Sequence, residues 1–233
     1  WWPGIDAGTV FGTVTVENGK VRADAQVVDG AISFLDGTVT NISGPATFEA
    51  FKENGTLTAK TLGGDILTSV GVDILNARWF GEARSENLDL KETAIWLATN
   101  RLPIDLSTWP ITGTLQTTVN AEGWTDVAVN GLASGDGSIS VFPLQDLAGN
   151  FSFVTRQGQP DLQVDATGLL AQGQLGATLR TEGQDTVFDL TLDDGKLLPT
   201  VNADATVNIR AGREGTLGQT QVDLSGEFLG RSI

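Results

Sequence analysis

The sequence predicts an all-β fold. Apolar residues recur at every second position in run after run, and Asp-Gly or Asn-Gly pairs fall between many of those runs. Almost no segment has helical periodicity, and glycine, at 29 residues against 7 prolines, supplies most of the breaks.

Near the start, "KVRADAQVV" sets Val21, Ala23, Ala25 and Val27 against Lys20, Arg22, Asp24 and Gln26. Asp29-Gly30 reads as a hairpin turn into "AISFLDG", and Asp36-Gly37 as another into "TVTNISG". Asn18-Gly19, Asn54-Gly55 and Asp194-Gly195 repeat the signal, since both central residues of a type I′ turn need positive φ. Successive strands are therefore expected to be antiparallel and adjacent. Residues 79 to 110 break the pattern. There "KETAIWLATNRL" reads either as a short helix ending before Pro103 or as a strand with Ile95 and Leu97 on one side.

The second half alternates more cleanly. "GTLQTTVNAEG" sets Leu115, Thr117, Val119 and Ala121 against Gln116, Thr118 and Asn120. Val127 aligns with Val129, Ile139 with Val141, and Phe151 with Phe153. Leu162, Val164 and Ala166 follow, then Leu175, Ala177 and Leu179, then Phe188, Leu190 and Leu192. The longest run places Val201, Ala203, Ala205, Val207 and Ile209 opposite Asn202, Asp204, Thr206, Asn208 and Arg210. Such strands have one dry face and one wet face. All six Trp residues lie at or before position 124. The expected organisation is a Trp-containing β segment over 1–109, continuous with a second β segment over 110–233.

The formal charge is -15, which argues against nucleic acid and against anionic headgroups as partners. Cys, His, Met and Tyr are all absent, which removes disulfides, imidazole or thiolate metal sites, and Ser-His or Cys-His nucleophile pairs. With no Met and with strand character running to "EFLGRSI", the chain is expected to be a piece of a longer protein. No run of eighteen apolar residues offers a membrane-spanning helix.

Chemistry candidates are few. Asp193-Asp194 in "LDDGK" and "SGDGS" at 134 to 138 read as turns. Glu82 and Glu86 flank Arg84 beside Trp79, a pattern open to carbohydrate binding but simpler as a solvated charged loop. "LGGDILTSV" resembles one arm of a calcium-binding β-roll and occurs once; "GTVFGTVTV" lacks the helix of a phosphate cradle. Trp79, Trp96, Trp109 and Trp124 read as core or rim residues. No catalytic residue, metal ligand or cofactor is expected, and the chain is not read as an enzyme.

The alternation remains. Two sheets packed face to face, as in a sandwich, would consume it; a β-solenoid is another structural option. A long sheet curled lengthwise would instead leave an apolar groove for a greasy ligand. On that reading the wall is lined by Val119, Val127, Val129, Ile139, Val141, Phe151, Phe153, Leu162, Val164, Leu175, Leu179, Val201, Val207 and Ile209.

"FPLQDLAGNFSFVTRQGQPDLQVDATGLLAQGQLGATLRTEG" resembles the repeating module of the AsmA-like superfamily, in particular its TamB-type members. Pro143, Leu144, Leu147 and Gly149 match the opening, and Gly173 and Gly176 the Gly-rich break. Leu102, Pro103, Ile104, Gly113, Leu115 and Gly123 are similar to a second strand-pair module, so the resemblance covers about residues 87 to 183. The acidic polar face and the Trp-rich middle depart from the family pattern. The resemblance implies a β-taco, a long antiparallel sheet folded into a U with an apolar inner wall. It implies a periplasmic location in a diderm envelope, in a protein anchored elsewhere in the inner membrane. Its cargo would be phospholipid acyl chains in transit between membranes, and a BamA-like outer-membrane barrel would be its partner in outer-membrane assembly. The alternatives are a structural or adhesive β-module of a surface or fibre protein, and a carbohydrate-binding β-protein.

Overall fold

The computed structural model describes residues 4–17, 20–34, 37–49, 52–73, 75–99, 101–102, 104–123, 126–156, 159–183, 185–198, 201–212, 217–228 and 231–232. The strands are β1 (Gly4–Glu17), β2 (Lys20–Phe34), β3 (Gly37–Glu49), β4 (Lys52–Thr61), β5 (Gly64–Asp73) and β6 (Arg78–Asp89). After helix α1 (Leu90–Ala98) and a 3-10 turn (Leu106–Thr108) come β7 (Ile111–Gly123), β8 (Val127–Ile139), β9 (Phe142–Arg156) and β10 (Gln159–Leu170). β11 (Gly173–Glu182), β12 (Asp185–Leu198), β13 (Val201–Ala211), β14 (Leu217–Phe228) and β15 (Arg231–Ser232) complete the chain. The fold is all-β. All 15 strands join one antiparallel sheet in sequence order, with β1 and β15 as its open ends.

The chain divides into two compact units. The first comprises 1–88, 116–131 and 154–159, the second 89–115, 132–153 and 160–233.

In the first unit β1 to β6 pair antiparallel in sequence order, with register shifts in β1, β2 and β3, and one row reads Gly12, Ala25, Ala46, Gly55, Val70, Gly81. Side-chain volume along this one row is small. The Phe80 ring lies over its cross-strand partner Gly71, covering backbone that no side chain of its own protects. The β4–β5 connection is a tight turn with positive φ at Leu62 and Gly63, a site the Asp/Asn-Gly rule did not mark.

The second unit has heavier rows. Val164, Leu179, Phe188 and Ile209 lie opposite one another across β10 to β13; beside them run Ala166, Ala177, Leu190 and Val207. The third row is Gly168, Leu175, Leu192 and Ala205. Gly149 lies against Ala166 and Gly168 against Leu147, which sets Phe151 level with Val164 and Phe153 level with Leu162.

Three expected hairpin turns are strand interiors. Asp29-Gly30 lies within β2, Asn54-Gly55 within β4 and Asp194-Gly195 within β12. The expected turn at 134 to 138 is likewise inside β8. β2 and β3 close where Phe34 pairs with Gly37; Asp36, of the expected Asp36-Gly37 turn, lies outside the described residues. β1 and β2 close at Glu17 and Lys20 around Asn18-Gly19, which lies outside the described residues.

Asp29 and Asp194 do need positive φ (50° and 57°), but to make β-bulges. Between Val27 and Gly30, β2 spends one residue more than β3; β12 does the same between Leu192 and Gly195. Asn41 (φ 53°) adds a bulge to β3 between Val39 and Ile42. Asp146 (φ 51°) behaves alike in β9, where the buried side passes from even-numbered Leu144 to odd-numbered Phe153 and Thr155. Three of these bulged amides donate to a side chain of the adjoining strand: Asp29 to Ser43 Oγ (3.2 Å), Asp146 to Asp136 Oδ1 (2.9 Å) and Asp194 to Asp204 Oδ1 (2.7 Å). Each bulge shifts the phase of the alternation by one, which keeps the apolar side on a single face despite the bend.

Residues 90–98 form a helix, which resolves the ambiguity of "KETAIWLATNRL". Asp89 caps it by accepting the Glu92 amide (2.9 Å), with Glu92 at the third helical position as in a capping box. At the other end Arg101 donates to the carbonyls of Trp96 and Thr99, and its guanidinium stands 5.5 Å from the centre of the Trp96 ring. Leu90 reaches over Gly137, which anchors the helix on β8.

Candidate functional site

The second unit's sheet has two chemically distinct faces. On the polar face, Arg180 donates to Glu182 (3.0 Å) and Asp189 (2.8 Å), and Arg210 to Asp185 (2.8 Å) and Glu182 (3.1 Å). Asn208 also donates to Asp189. Hydrogen bonds to Glu182 and then Asp189 raise the Arg180 pKa above its ordinary value; Asp185, then Glu182, do so for Arg210. Val187 lies between these two arginines in register and is buried, an apolar residue on the charged face flanked by their aliphatic stems.

The opposite face is apolar across four strands. Leu162, Leu179, Leu192 and Ile209 are buried, while Val164, Leu175, Phe188, Leu190 and Val207 are half-buried. No large side chain among the described residues is completely enclosed.

Most residues read from the sequence as one wall are distributed as follows. Phe151, Phe153, Leu162, Val164, Leu175, Leu179, Val207 and Ile209 share the second unit's apolar face. Ile139, half-buried, ends β8 in that unit. Val119 and Val127 are half-buried and Val129 is buried on β7 and β8 of the first unit. Val127 donates its amide to Thr155 Oγ1 (2.8 Å). Val141 is a correction. It was expected beside Ile139, but the strand ends there and Val141 occupies the β8–β9 turn, 82% exposed. Val201 starts β13 in register with Leu198; its side chain lies outside the described residues. The rows add Phe188, Leu190 and Leu192, whose alternation in "TVFDLTLDDG" was legible but which were left out of the wall.

Other candidates find no common site. Asp193-Asp194 forms the β12 bulge, and Arg84 donates to Glu82 along β6 (2.6 Å). Trp79 is half-buried in β6, whereas Trp96 lies on α1 and Trp109 is exposed in the second unit; Trp124 is outside the described residues. Among the described residues no group of three acidic side chains is placed to hold a metal, and no helix is long and apolar enough to cross a membrane.

No family model, no curated protein and no solved structure matches this chain.

Proposed function

We propose that the apolar face of β9 to β13 shields phospholipid acyl chains, in a periplasmic, non-enzymatic protein of the TamB/AsmA-like kind that carries lipid between membranes or serves outer-membrane assembly with a BamA-like partner. One observation carries this reading: Phe151, Val164, Leu179, Phe188 and Ile209 form an unbroken apolar row backed by a charged face. Five strands span about 19 Å, comparable with an extended acyl chain. Removing several hundred Å² of tail from water gains on the order of 10 kcal/mol, enough to hold lipid without any specific polar contact. The bulges support the same reading, because each bends its strand while the apolar side stays continuous.

Native mass spectrometry of the chain purified from a diderm bacterial host tests it. Co-purified phospholipid is expected, lost in Val164→Asp and Val207→Lys while circular dichroism keeps its β spectrum. Lipid-free protein, or unfolding of both variants, would favour a structural β-module; retention on a polysaccharide column lost in Trp79→Ala would favour a carbohydrate-binding protein.

A further inference from the structure

Helix α1 stands on the apolar side of the second unit. In β8 the residues Gly135, Gly137 and Ile139 are half-buried, while Ser134 and Asp136 between them are exposed. The two-residue turn after Ile139 sets that residue opposite Phe142, and Gly137 therefore opposite Leu144, the buried residue of β9 ahead of its bulge. A Cβ on Gly137 would lie 2.9 Å from Leu90 Cδ2 and 3.2 Å from the Gly113 Cα. Two glycines on adjoining strands, with no side chains to stand in the way, make the seat on which the helix rests.

Only Glu92 of the nine helical residues is exposed. A helix lying on an outer surface would expose a whole polar face, so α1 is enclosed on most of its circumference. Residues 94–98, Ala-Ile-Trp-Leu-Ala, are consecutive and apolar, and at about 100° per residue they ring the helix. Whichever side of this turn faces along the sheet, it presents mainly hydrocarbon.

We propose that α1 is the end stop of the acyl-chain site: a tail lying along the face of β9 to β13 meets the helix with its terminal methyl, and the helix limits the chain length the face accepts. This rests on the lipid-shielding reading above. The strand order fits it, since β8 adjoins β9 at one end of the five-strand face and β13 forms the other end. A headgroup needs water or polar partners and finds few at residues 94–98, so it belongs toward β13. Leu90, 8% exposed, holds the stop in place by filling the space over Gly137.

Two lysophosphatidylethanolamine probes test this on the unaltered chain, one with a diazirine beside the terminal methyl, the other with it beside the glycerol. A headgroup without net charge avoids repulsion by the chain's -15. After irradiation and digestion, the terminal probe is expected to label residues 90–98, and the glycerol-side probe β12 or β13 but not α1. Terminal-probe adducts confined to β10 to β13 would overturn the stop and leave lipid shielding standing; no adduct from either probe would overturn both. Chain length gives a second readout. Each added methylene is expected to tighten binding about four-fold until the tail reaches α1, and to add little beyond that length. Leu90→Ala loosens the seat and is expected to move this limit to longer chains, with circular dichroism checking that its β content is kept. Affinity that climbs without a limit in the unaltered chain, or a limit unmoved in folded Leu90→Ala, would overturn the proposal.

Discussion

The row crossing β1 to β6 reads Gly12, Ala25, Ala46, Gly55, Val70, Gly81, whereas the row crossing β9 to β13 reads Phe151, Val164, Leu179, Phe188, Ile209. Both rows follow the same period of two and the same antiparallel register. What differs is the volume each residue brings to the apolar side. Alternation therefore decides which way a side chain points, while residue size decides how much apolar surface that side presents. The first unit's row is shallow and its strand β1 stays exposed on both faces. The second unit's row offers broad, partly sheltered hydrocarbon, which is why the lipid proposal rests there.

Truncating the heavy row should show the largest contrast. Leu179 is 5% exposed, and Leu179→Ala is expected to lose about 2–5 kcal/mol in urea unfolding. Val70, 37% exposed, sits in the light row, and Val70→Ala is expected to lose less than about 1 kcal/mol. Equal losses would erase the distinction between the rows. Backbone approach at a bulge comes next. A Cβ on Gly173 would lie 2.5 Å from the Gly195 nitrogen and 2.6 Å from the Asp193 carbonyl oxygen. Gly173→Ala is expected to cost about 1–3 kcal/mol. Gly176→Ala meets only the Thr191 hydroxyl, at 2.9 Å, and should be much milder. Thermal melts of the pair separate a bulge constraint from general intolerance to side chains on β11.

Smaller effects probe the bulged amides. Asp204→Ala removes the acceptor of the Asp194 amide and is expected to cost about 1 kcal/mol, with Asp204→Asn restoring most of it. Ser43→Ala, at the longer Asp29 contact, should cost less. The smallest effect is a pH response at the 3-10 turn. Hydrogen bonds from Ser107, its side chain and then its backbone amide, hold the Asp105 carboxyl below its ordinary value of 3.8. A folded pKa below the unfolded one stabilises the turn above the unfolded value, and this contribution is lost as pH falls through the folded pKa. An NMR titration should place the Asp105 midpoint below 3.8, and Asp105→Asn should remove that acid-dependent step.

The strands and their dry sides were legible because period-two alternation is a direct readout of the pleat. "TVNADATVNIR" became β13 with Val207 and Ile209 on the expected side. Bulges were misread for a physical reason: a type I′ turn and an αL bulge both favour Asp or Asn near glycine. The discriminating signal was phase. Val27 to Gly30, Leu144 to Leu147 and Leu192 to Gly195 each step by three where the alternation steps by two. A turn would have ended the run; a bulge lets it continue out of phase. Val141 was misplaced because Ser140, at φ 59°, starts a turn without glycine or proline to announce it. The helix was undecided because Ile95, Trp96 and Leu97 are consecutive and fit neither period, whereas the cap at Asp89 with Glu92 was present in the sequence and settles the matter.

Neighbouring residues on opposite faces give the most direct test of the lipid-shielding face. Val207 lies in the apolar rows beside Leu190, and Asn208 turns to the charged face to reach Asp189. A photo-reactive phenylalanine analogue at each position, activated in diderm bacterial cells and read by mass spectrometry, reports what each face touches. The account expects phospholipid adducts at position 207 and none at position 208. Equal labelling at both, or only protein adducts at 207, would contradict it.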